Sequence, residues 1–152
     1  MSAPKKTPDR VDEAHAQQLC SEIHDAFSEE SVNDLEALAG RCTDAAAVYV
    51  ARKFNLDRRS AEADMDEAIG VRTFKLPRKM VQKLRSDPVF VSLMAMAAHL
   101  DDAIGRLPDI NFKGYASNTL HNYHYAHHDP EACFDYLFPS LAKESEGEGR
   151  DF

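Results

Sequence analysis

The sequence predicts an all-α protein: one domain of about seven to eight short helices packed around a single apolar helix at about residues 88–104. Three observations carry this. Runs of alternating Val, Ile, Thr and aromatic residues are missing, and no Asn-Gly or Asp-Gly hairpin turn occurs. Capping residues followed by proline recur along the chain, at Thr7-Pro8, Asp87-Pro88 and Asp129-Pro130. Between these signals, apolar residues return at helical rather than alternate spacing.

The elements follow in order. A hydroxyl cap at Thr7 and a proline at Pro8 predict a first helix that runs to about Ser28, with Val11, Leu19, Ile23 and Phe27 on its inner side. Ser31-Val32-Asn33-Asp34 resembles a capping box and predicts a short helix closed by Gly40. Thr43 or Asp44 is expected to start a third helix through Phe54, and Ser60 a fourth, acidic one that ends at Gly70. Residues 71–76 read as a loop, after which Pro77 opens a basic helix to about Arg85. Asp87-Pro88 opens the most apolar stretch, with Phe90, Leu93, Met94, Met96 and Leu100. Its apolar residues lie nearly all round, as they do in a buried helix. Ser117 or Asn118 is expected to cap a helix through His127, and Asp129-Pro130 starts the last one. The domain is expected over 1–142, with 143–152 as a charged, flexible tail.

Composition narrows the function classes. A chain of 152 residues with 43% apolar and 29% charged residues suits one globular domain. No apolar run is long enough to span a membrane, and the start lacks the apolar core of a secretory signal. Cys20, Cys42 and Cys133 are odd in number and widely spaced, so free thiols in a reducing cytoplasm are expected. Nucleotide-binding glycine loops and the serine-hydrolase elbow are missing.

Two local departures stand out. Net charge is −8, yet residues 52–85 hold ten Lys/Arg against five Asp/Glu, and the remainder holds eight against twenty-one. Within that region Arg72, Lys75, Arg78, Lys79, Lys83 and Arg85 stand with no acidic residue among them. Six cations can neutralise phosphates, and Phe74 can stack on an unpaired base, so a backbone-directed nucleic-acid contact is one expectation. Pairing of the same cations with the protein's own acidic helices is the plainer one.

The second departure is a histidine cluster. His121, His124, His127 and His128 fall on one face of a helix, and His121, His124 and His128 form the tightest set. Such a face can hold a metal ion, with His99, Asp101 and Asp102 as further ligands. It can equally be a polar contact surface together with Tyr115, Tyr123 and Tyr125. No catalytic motif is present, so the leading expectation is a non-catalytic subunit, adaptor or inhibitor that binds a protein partner and carries no cofactor. The acidic residues Asp9, Asp12, Glu13, Glu29, Glu30 and Asp34 suit a basic partner surface. A nucleic-acid-contacting subunit and a metal-dependent enzyme built on His121, His124 and His128 are the alternatives.

Overall fold

The computed structural model describes residues 10–71, 73–139 and 141. They form seven helices and no strand: α1 (Glu13–Ser28), α2 (Val32–Phe54), α3 (Arg58–Val71), α4 (Arg78–Arg85), α5 (Pro88–Arg106), α6 (Phe112–His128) and α7 (Pro130–Leu137). The expected first cap at Thr7-Pro8 and the tail from residue 143 lie outside the described residues. The first described helix is capped by Asp12, whose carboxylate accepts the backbone N–H of His15 at 3.2 Å.

The first helix therefore opens at Glu13 rather than at Pro8, since residues 10–12 are not helical. Two further boundaries differ from expectation. The second and third expected helices are one, because α2 runs through Gly40. Gly40 adopts no left-handed conformation, so it cannot terminate the helix as a C-cap glycine does. Thr43 donates its hydroxyl back to the carbonyls of Ala39 and Gly40 and so does not cap a new start. Leu35, Leu38, Cys42, Ala45, Ala46 and Val50 make one continuous buried stripe along α2. The helix stops where Asn55 takes the left-handed conformation, with φ of 54°.

The second difference is at α6, which starts at Phe112, five residues before Ser117. Its cap is Asn111, whose side-chain oxygen accepts the N–H of Gly114 at 3.1 Å. A Cβ at position 114 would stand 2.8 Å from that amide nitrogen, so the glycine is what lets the cap fold over.

α5 is the central helix, as expected. Ten of its residues from Phe90 to Leu100 are buried, and only His99 in that span is partly open. Asp87 caps it through the N–H groups of Val89 and Phe90, while its other oxygen takes the Tyr49 hydroxyl at 2.5 Å and the Lys53 ammonium at 3.0 Å. α2 packs along α5 on one side and carries α3. α6 packs on the other side, with α1 behind it, and α7 closes the end between α5 and α6. Cys20, Cys42 and Cys133 are all buried and free. Among the described residues no helix is long and apolar enough to cross a membrane.

Candidate functional site

The basic segment becomes part of the fold. Phe74, expected as a base-stacking ring, is 9% exposed and lies among Phe90, Phe134 and Phe138, with a ring-centroid separation of 4.6 Å to Phe138. The reading of Phe74 as a surface ring is therefore corrected. The 73–77 connection packs against the core, and its one aromatic residue fills the gap between α5 and α7.

Lys75 and Arg85 of this segment have internal partners. Lys75 pairs with Glu67 at 2.9 Å, and its backbone N–H is held by the Asp64 carboxylate at 3.0 Å. Arg85 forms a bidentate pair with Asp135, at 2.8 and 2.6 Å, and reaches Glu131 at 3.6 Å, which ties α4 to α7. Arg78, Lys79 and Lys83 are exposed along α4. Arg72 lies outside the described residues.

The tyrosines divide sharply. The chain has five. Tyr49 donates to Asp87, Tyr115 to Asp102 at 2.5 Å, and Tyr123 to Glu13 at 2.7 Å. Tyr123 is buried and Tyr115 packs on Phe27 and His99, so neither is the open contact residue the sequence suggested. His127 turns the same way. It bonds the Tyr123 carbonyl at 2.9 Å and the Glu13 carboxylate at 2.8 Å.

Tyr125 is half-buried against the core, and it lines a cleft of about 640 Å³ between α5, α6 and α7. α5 lines the cleft with Ala95, Ala98, His99, Asp102 and Arg106. α6 contributes Asn118, His121, Asn122 and Tyr125, and α7 adds Cys133, Tyr136 and Leu137. Tyr136 is 81% exposed, the most open large apolar side chain of the described residues. A shallow extension of about 330 Å³ runs on over His121, His124, Tyr125 and His128. These three imidazoles do share a face. Even so, among the described residues no group of three or more His, Cys, Asp or Glu is placed to hold a metal ion.

The cleft has a fixed polar floor. The Nε2–H of His99 donates to the Tyr115 carbonyl at 2.9 Å, since a carbonyl can only accept, so the neutral ring presents Nδ1 as an acceptor. Burial pushes the His99 pKa below its usual value, against a smaller upward push from that same hydrogen bond and from Asp102. The Tyr115 hydroxyl, with Arg106 behind it, holds the Asp102 carboxyl below the ordinary carboxylate range. Burial pushes the Cys133 thiol up to about 11, so it is a poor nucleophile.

Above this floor the side chains are not hydrogen-bonded, although the His121 and Tyr125 rings lie 6.4 Å apart and Tyr125 packs against the core. Among the described residues, Asn118, His121, Asn122, Tyr125 and Tyr136 have no side-chain hydrogen-bond partner. Sequence reading singled out His99, Asp102, His121 and Tyr125 and missed Arg106, Asn118, Asn122 and Tyr136. The 118, 121, 122, 125 spacing on one helix face was the available signal. Comparison with known protein families, characterised proteins and solved structures finds no match for this chain.

Proposed function

We propose that the protein is a non-catalytic binding protein, working as a subunit, adaptor or inhibitor, and that the α5–α6–α7 cleft seats a segment of its protein partner. The observation that carries this is the split among the tyrosines. Three are hydrogen-bonded to carboxylates inside the fold, and the remaining two, Tyr125 and Tyr136, both stand on the cleft without one. Tyrosine on a rigid helix brings large contact area at a small cost in conformational entropy, which is why it recurs as an interface anchor. The Asn118 and Asn122 amides lie one helical turn apart, and each offers both donor and acceptor to a peptide main chain. The histidines support a binding role over catalysis. Among the described residues none is hydrogen-bonded to a Ser, Thr or Cys side chain, the pairing that activates a nucleophile.

The test is positional crosslinking in the source cell. Tyr136 is replaced by photoreactive p-benzoylphenylalanine, and Glu29, exposed beyond the end of α1, serves as the control site. A discrete protein adduct is expected from position 136 and not from 29, and Asn118→Ala with Asn122→Ala should abolish it. Equal adducts at the two positions, or an adduct indifferent to the asparagines, would refute this reading.

A further inference from the structure

We infer that a second pocket, between α3 and the residues on either side of it, takes a primary ammonium carried on an aliphatic stem, with Asp64 as its acceptor. The pocket shares no lining residue with the α5–α6–α7 cleft, so the inference stands apart from the function proposed there.

The pocket holds about 390 Å³, within the range of small-molecule sites. Burial orders its wall by depth. Asp57, Ser60, Glu67 and Lys75 are exposed and form the rim, and Leu56 and Leu76 are half-buried. Ala61 and Asp64 are buried, at 3% and 8% exposure. The inner wall is thus apolar except for one carboxyl group.

That carboxyl group is only half used. Its Oδ1 accepts the backbone N–H of Lys75 at 3.0 Å, while Oδ2 is buried and has no hydrogen-bond partner among the described residues. Buried polar atoms are paired almost without exception, so a solitary buried acceptor marks a place where a donor belongs. The two carboxylates on the rim differ. Asp57 accepts the N–H and the hydroxyl of Ser60, and Glu67 takes the Lys75 ammonium at 2.9 Å. Lys75 therefore gives Asp64 its backbone and Glu67 its charge.

Charge and geometry select the donor. Three carboxylates against one ammonium line the pocket, so it attracts a cation and repels an anion. Because Oδ1 is already engaged, Asp64 offers one oxygen rather than two. That suits the point donor of an ammonium, whereas a guanidinium fork is matched by a pair of oxygens. Leu56, Ala61, Ala63 and Leu76 supply apolar surface to cover an aliphatic stem, as such surface covers the stem of a lysine. Oδ2 is screened from solvent, and the broad terminal torsion of aspartate lets it turn toward an entering nitrogen.

The test is a proton–nitrogen NMR titration of the full chain with n-butylamine and with n-butanol, its neutral match in length. The Lys75 amide reports directly, because it is bonded to Asp64. Butylamine is expected to shift it saturably, with an affinity at least about tenfold above that of butanol, the scale of a charge-assisted hydrogen bond. Asp64→Asn should erase that preference, and Asp57→Asn on the rim should change it by less than about twofold. Nα-acetyl-lysine amide separates the two sources of the ammonium. If it binds like butylamine, a lysine side chain of a partner is the source; if butylamine alone binds, a free amine is. Both results support the site. Equal binding of amine and alcohol, no saturable shift with either, or a preference that survives Asp64→Asn overturns the inference. The comparison of amine with alcohol on the unsubstituted chain decides even where Asp64→Asn fails to fold.

Discussion

Around α4, side chains of the kind that make binding sites are engaged by the fold itself. Phe74 is enclosed by three other phenylalanines, and Lys75 and Arg85 lie against Glu67 and Asp135. In the α5–α6–α7 cleft, Tyr136, Asn118 and Asn122 have no side-chain hydrogen-bond partner among the described residues, and Tyr125, though packed against the core, has none either. Residue type therefore does not distinguish a structural feature from a binding one here. What distinguishes them is whether the side chain's hydrogen-bonding and packing capacity is already used. A paired group gives stability and offers little to a partner. An unpaired one contributes little stability and keeps its capacity for binding.

That comparison can be broken most directly at Phe74. Phe74→Ala is expected to lower stability by about 3–5 kcal/mol, the range for losing a buried phenylalanine. Urea unfolding of the full chain measures it. A loss below about 1 kcal/mol would return the ring to the surface and undo the contrast.

His99 sharpens the cleft side of the comparison. Its pKa is lowered in the folded state, so the unfolded chain takes up a proton first as pH falls through 6.5. Stability should hold above that pH and decline below it. His99→Gln keeps a donor for the Tyr115 carbonyl and should decline less on the acid side. His15, also lowered, mainly by burial and then by Arg41, leaves a residual slope of the same sign. Unfolding midpoints on either side of pH 6.5 decide this, and identical slopes in the two proteins would mean that His99 titrates freely in the folded state.

The smallest effect is expected where the binding role is assigned. Tyr136→Ala and Asn122→Ala should each change stability by no more than about 0.5 kcal/mol, as substitutions of unengaged surface groups do. Melting temperatures check this. A large loss at either position would make it a structural residue like Phe74.

The helices that open with a proline were legible because proline fixes both a boundary and its direction. Pro77, Pro88 and Pro130 each stand where α4, α5 and α7 begin. Gly40 misled because glycine marks a helix end only in the left-handed conformation, which depends on whether the apolar stripe continues beyond it. The start of α6 was misplaced because Asn111, Ser117 and Asn118 are all capable caps. The choice among them is set by Gly114, whose missing Cβ leaves room for the Asn111 side chain to fold over, a pairing that shows only once the cap has formed. For the site, His121 and Tyr125 could be placed on one face by counting residues. Tyr115 and Tyr123 could not be assigned inward, because their partners Asp102 and Glu13 are 13 and 110 residues away in the chain. Tyr136 was missed for the converse reason: lacking a hydrogen-bond partner is a property of the assembled fold.

The link from Glu13 to Tyr123 and His127 also bears on the order of assembly. Closing a loop of 110 residues costs about 2 kcal/mol more chain entropy than closing the 13-residue loop between Asp102 and Tyr115. The α5–α6 hairpin can therefore form early and locally, whereas α1 gains its anchors on α6 only once the rest of the chain is in place. α1 is then the helix expected to dock last and to detach first, and α6 carries its seat on one face and the cleft on the other. A partner that braces α6 from the cleft would slow amide exchange in α1, a helix with no residue in the cleft.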